Sequence, residues 1–193
     1  PMPASFGLIP VGWQTRGAGI VWGRQYACTN GYNVEWSAGT PDGSTGVAVL
    51  PMIRWESNNY GAPSAGIGCP QMPFTSLQQL LVYVAGQYKR GAQPIQYRAR
   101  PDLGSRFAYL NMSVPSPAGR MDYWVEAGDL LFGFQESGRN MRGLLSTVAV
   151  FQSSRATYAG GLNMNAMSAA TMSGFMAIAP DGALDFQLIE AIR

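Results

Sequence analysis

The sequence predicts an all-β domain, an antiparallel sandwich of about eight strands with one short helix. Three observations lead there. Glycine (24) and proline (13) are spread along all 193 residues and mark no linker, as expected where turns join many short strands. The apolar residues fall in short runs bounded by turn signals, and several runs alternate apolar with polar. Only one stretch repeats at the helical period.

Taken in order, Gly19 to Cys28 is the first candidate strand, with Ile20, Trp22 and Tyr26 as its apolar content. Gly39-Thr40-Pro41-Asp42-Gly43-Ser44 is a turn by composition. Val47 to Trp55 follows as a strand, and Pro51 inside it predicts an edge position or a bulge. Residues 58–73 read as loop. Thr75 to Leu81 is the helix: Thr75 or Ser76 can cap it, and Leu77, Leu80 and Leu81 share one face. Its end is expected before Gly86. Ile95 to Arg100 alternates, with Ile95, Tyr97 and Ala99 on one face and Gln96, Arg98 and Arg100 on the other. Further strands are expected at Phe107 to Val114, at Tyr123 to Phe134 with a break at Gly128-Asp129, and at Leu144 to Gln152. Residues 159–173 have no clear period. Gly174 to Ala179, the turn Pro180-Asp181-Gly182 and the alternating Leu184 to Leu188 read as a closing hairpin. No repeat or linker divides the chain, so residues 1–193 form one domain. The jelly roll is the eight-stranded version of such an architecture.

Charged residues make up 12% of the chain, about half of the usual roughly 25%. A shortage of charge on a β-rich domain points to a surface that other molecules cover. Of the thirteen basic residues twelve are arginine, with Lys89 the sole lysine. Arginine is favoured over lysine in contact surfaces. The net charge of +2 and the absence of any basic run beyond Lys89-Arg90 argue against sequence-specific nucleic-acid recognition. There is no apolar run of about 18 residues, hence no expected membrane insertion through a helix.

The chain has no histidine. That removes the commonest general base and metal ligand, and with it Ser-His-Asp and Cys-His catalysis. Cys28 and Cys69 form no CxxC unit. Two buried free thiols are the default reading, and spacing leaves a disulfide open. Two carboxylate pairs are candidates for glycosidase chemistry, Glu126 with Asp129 and Asp185 with Glu190. Asp129 reads instead as a turn or bulge residue and Asp185 as the outward member of a strand. Trp13, Trp22, Trp36, Trp55 and Trp124 read as core or interface packing more than as a sugar-stacking face. Met164, Met167, Met172 and Met176 fit a contact surface or a core equally well. Lys89, Arg90, Arg98 and Arg100 are the candidate contact residues, for RNA phosphates or, preferably, for a paired or inter-subunit face. The expectation is a non-enzymatic protein without cofactor or metal.

The order of certain pieces resembles a known family. The helix Ser76-Leu77-Gln78-Gln79-Leu80-Leu81 passes through Tyr88-Lys89-Arg90-Gly91 into the strand Ile95 to Arg100. This is similar to the step into the fourth jelly-roll strand of picorna-like virus coat proteins. Phe175 to Arg193 resembles the last two strands of the small coat domain of plant members. Val125 to Phe134 is also similar to a strand of insect members, but that match conflicts with the C-terminal one, which accommodates every strand. The resemblance covers about half the chain in loose pattern and fits a plant secovirid with three separate coat proteins, such as a cheravirus. It implies an icosahedral capsid subunit cut from a polyprotein, in agreement with a first residue other than methionine. It implies copies of itself and companion coat proteins as partners, packaged RNA touched by weak non-specific contact at most, and location in the virion or, during assembly, the host cytoplasm. The competing expectation is a carbohydrate-binding, lectin-like β-sandwich.

Overall fold

The computed structural model describes residues 9–23, 28, 31–56, 69–71, 74–116, 119–156 and 166–186. In chain order they form β1 (Gln14–Trp22), β2 (Tyr32–Gly39), β3 (Gly46–Glu56), α1 (Leu77–Tyr88), β4 (Gln93–Ala99), α2 (Pro101–Arg106), a 3-10 turn (Ala108–Leu110), β5 (Met112–Ser116), β6 (Gly119–Glu136), β7 (Arg139–Ala156) and β8 (Ala166–Pro180).

Ser137 and Gly138 set the frame. They take φ of 51° and 75°, the two positive angles of a type I′ turn, whose twist matches that of the strands it joins. The turn starts a ladder that runs unshifted from Glu136↔Arg139 to Gly119↔Ala156. β8 pairs along the far side of β7, and β3 pairs with β8. The result is one antiparallel sheet in the order β1-β2-β3-β8-β7-β6-β4, with β5 also on β6. β4 lies against residues 128–133 of β6 and β5 against 119–123, so together they line one edge of that long strand.

The core lies between α1 and one face of the sheet. Ser76 caps the helix by accepting from the Gln79 N–H at 3.3 Å, and the Gln79 side chain accepts from the Thr75 N–H at 2.8 Å. Leu77, Leu80, Leu81, Val84 and Ala85 are buried, the i, i+3, i+4, i+7, i+8 stripe of a helix with one dry side. They meet Leu130, Phe132 and Phe134 of β6, with Leu145 and Phe151 of β7 and Leu50 and Trp55 of β3 in the same cluster. Each such side chain contributes about 1.5–3 kcal/mol. On the opposite face Leu131, Leu144, Ala179 and Leu184 form a smaller cluster.

The β-rich class and the few helices are as expected. The described strands form one antiparallel sheet, and they do not establish the strand order of a jelly roll. β1 to β3 and β6 to β8 pair with their chain neighbours, while β3 lies beside the distant β8. Tight turns such as Ser137-Gly138 made the local pairing available. β2 was not anticipated. The helix runs through Gly86 to Tyr88, because burial of Val84 and Ala85 outweighs the roughly 1 kcal/mol that glycine costs. Residues 108–110, expected in a strand, form the 3-10 turn. No break occurs at Gly128-Asp129. Pro51 marks a bulge, as expected, between Leu50 and Ile53. The Pro180 turn is present, with Ala183 N–H donating to the Pro180 carbonyl at 3.1 Å. No strand follows it at residues 184–186, and 187–188 lie outside the described residues. Cys28 and Cys69 are joined in a disulfide, which replaces the default of free thiols. Among the described residues no helix is long and apolar enough to cross a membrane.

Candidate functional site

The four cations singled out from the sequence do not form one patch. Lys89 closes α1 and donates to both oxygens of Glu136 at 2.9 Å, with its ammonium 4.9 Å from the Phe134 ring centre. It ties the helix end to the β6–β7 turn. Arg90 is exposed one residue on and lines a shallow recess with Ile95, Phe134 and Arg142. Arg98 is exposed on β4, its guanidinium 6.0 Å from the Phe186 ring centre. Arg100 is only 6% exposed.

The alternation that placed Arg98 and Arg100 together breaks at two points. β4 shifts register between Pro94 and Gln96, so Ile95 turns outward and is 53% exposed. Ala99 is exposed too, and only Tyr97 of the expected apolar face reaches inward, against Leu77 and Gly128. The strand then ends at Ala99, and Arg100 sits at the N-cap of α2.

From that corner Arg100 reaches back over the sheet. Its Nη1 donates to Asp129 Oδ2 at 3.0 Å, while Nε and Nη2 donate to the two oxygens of Asp102 at 2.8 and 2.6 Å. Ser146 Oγ donates to Asp129 Oδ1 at 2.6 Å. Asp129 is 1% exposed, so a strand carboxylate is buried with an arginine and a hydroxyl on its two oxygens. This corrects its reading as a turn or bulge residue. Arg100 beside Asp102 holds that carboxyl down at about 2, and the two acids push the guanidinium up in turn. Burial raises the Tyr97 hydroxyl, with Glu126 and Asp129 adding to it.

Arg100, Asp102 and Ser146 of this set line a groove of about 730 Å³. Arg106, Phe107 and Tyr109 make one wall, and Val148, Val150 and Phe175 of the sheet make the other. The groove carries both signs of charge and no concentrated positive field.

Glu126 and Asp129 are not a catalytic pair. Their odd spacing in an unbroken strand puts them on opposite faces, and Glu126 accepts from Trp124 Nε1 at 3.0 Å. Asp185 is exposed, and Glu190 lies outside the described residues. No metal-binding cluster of acids or cysteines occurs among the described residues. Of the tryptophans, Trp55 is buried against Phe74 and Trp124 stacks on Phe151. Trp13 and Trp36 are half-buried. Trp22 alone is widely exposed. Met172 is buried and Met176 packs against the core, while Met164 lies outside the described residues.

The large apolar side chains left in water are distributed unevenly. Ile9, Val11, Ile20 and Trp22 belong to β1 and its approach. Ile95, Tyr109, Met112 and Val114 belong to β4, β5 and their connection. These are the two edges of the sheet. Tyr88 is the one remaining case among the described residues. Sequence reasoning missed this pattern because it depends on strand order. The chain matches no known family, no curated protein and no solved structure.

Proposed function

We propose that this chain is a structural subunit of a multi-copy protein shell, a viral capsid protein that packs edge to edge with further copies and companion chains around an RNA genome. The observation that carries the reading is the gathering of exposed apolar side chains at both edges of one sheet. A monomer with only 12% charged residues gains nothing from leaving those edges wet, whereas a tile covered by neighbours buries them. The reading does not need jelly-roll strand order; it needs a stiff β-rich plate with adhesive margins. The role is non-enzymatic. Of the four cations singled out from the sequence, Arg90 and Arg98 are the exposed ones, and any RNA or inter-subunit contact by these four is assigned to them. Assembly belongs to the host cytoplasm, and the Cys28–Cys69 disulfide suits the oxidising surroundings of a released virion.

The test is electron microscopy with mass spectrometry on the protein from its natural source. Round closed particles with companion coat chains in equal amounts support the reading. A small uniform species without companions overturns it and turns attention to the lectin-like alternative. Exposed Trp22, with its ring 5.2 Å from that of Tyr32, favours that alternative. Tryptophan fluorescence that fails to respond across a broad glycan panel removes it.

A further inference from the structure

We propose that β1 pairs with β1 of a second copy about a twofold axis at Val21, so that the sheet continues from one molecule into the next. The inference adds one contact to the shell reading, and its test uses the purified chain alone, so a missing particle and a missing dimer are told apart.

The backbone supplies the first part of the argument. Beyond the bulge between Arg16 and Gly19, β1 runs Ile20↔Val34, Val21↔Asn33, Trp22↔Tyr32. Gly23 N–H donates to the Gly31 carbonyl at 3.0 Å. In an antiparallel ladder alternate residues aim both backbone groups at the same neighbour. Val21 and Gly23 therefore face β2, and Ile20 and Trp22 face away from it. Among the described residues nothing pairs with that outer side. An unpaired strand edge takes another extended strand.

The contrast between the two margins supplies the second. The β4/β5 margin is split in two and carries Pro94 and Pro115, devices that blunt an edge. β1 has no proline, lysine or carboxylate, and its one charge, Arg16, lies on the far side of the bulge.

Side-chain register supplies the third and selects a second copy as occupant. Ile20 and Trp22 lie on one face and are 48% and 71% exposed. With Val21 opposite Val21 across the axis, Ile20 of each copy stands opposite Trp22 of the other. Both pairs are then of the hydrogen-bonded kind, each exchanging two N–H···O bonds. Each also sets an aromatic ring against a β-branched side chain, a favourable cross-strand pair. No charge opposes itself. The same patch serves both partners, as a twofold contact requires.

The experiment is sedimentation equilibrium of the full chain, with disulfide trapping of Val21→Cys. With no free cysteine among the described residues, the introduced thiol reports its own neighbour. Residues facing across a non-hydrogen-bonded pair lie about 4.5 Å apart at Cα, within reach of a disulfide. The expected result is a reversible wild-type dimer and a Val21→Cys chain that cross-links to itself through residue 21, read by mass spectrometry. Ile20→Lys is expected to weaken the dimer at least tenfold with an unchanged melting curve. Ile20→Pro, which deletes an N–H facing away from β2, is expected to do the same if Ile20→Lys misfolds. A wild-type chain that stays monomeric overturns the proposal. So does a dimer indifferent to both Ile20 substitutions, or one that fails to trap at residue 21.

Discussion

Arg100 matters because of where its strand stops. Were β4 one residue longer, Arg100 would share a face with Arg98 and point into water. At the N-cap of α2 it is buried, and it holds Asp129 and Asp102 at once. Removing one partner of a buried pair leaves the other charge stranded, at about 3–5 kcal/mol. Asp129→Ala is therefore expected to lower unfolding stability by about 3 kcal/mol, since Asp102 still serves the arginine, as checked by urea titration. Asp102 also sets a pH dependence. Its folded pKa of about 2 lies below the ordinary 3.8, so the stability it contributes is full above pH 3.8. That contribution is lost as pH falls from there toward 2. Asp42, held at about 2 first by the Thr40 hydroxyl and then by Ser44, acts in the same window. Urea midpoints measured between pH 5 and 2 are expected to fall, and less steeply in the Asp102→Asn variant.

At the scale of elements, the β6–β7 hairpin is the part on which others are hung. Its inner face is shaped by a cross-strand pair in which Phe132 faces Gly143. A Cβ on Gly143 would clash with the outer end of the Phe132 ring, so that ring occupies the space the glycine leaves open. Gly143→Ala is expected to push Phe132 toward the helix and destabilise the fold by about 1–3 kcal/mol. Denaturation and the near-ultraviolet dichroism of the aromatic cluster check it. The helix carries its own test: Ser76→Ala removes the acceptor for the Gln79 N–H and is expected to cost about 1 kcal/mol.

For the whole molecule, the disulfide and the exposed margins set the expectations. Cys28 and Cys69 close a span of 41 residues, for which chain entropy gives about 4 kcal/mol of stabilisation. Reduction is expected to lower the unfolding midpoint accordingly, as measured by denaturation with and without a thiol reductant. The strand order places β1 at one margin and β4 with β5 at the other. That single fact turns scattered exposed side chains into two bands.

The sequence by itself determined the class and the local pieces. The β character was legible in short runs and dispersed glycine and proline. The cap and dry stripe of α1 were legible in Ser76, Leu77, Leu80 and Leu81, and the bulge was legible in Pro51. These are read from neighbours in the chain, where dihedral preference and side-chain period act. The unbroken β6 was within reach too, since Ser137-Gly138 is a hairpin signal that outranks the supposed break at Gly128. Tertiary structure alone decided the rest. It decided that Asp129 is buried, because its partners come from 29 and 17 residues away. It decided that Cys28 meets Cys69, and that β3 lies beside the distant β8. It also separated Lys89, Arg90, Arg98 and Arg100 into internal ties and surface charges. The physical reason is common to all four: each depends on which strand lies beside which. Strand pairing is settled by burial over the entire sheet, and no local run of residues encodes it.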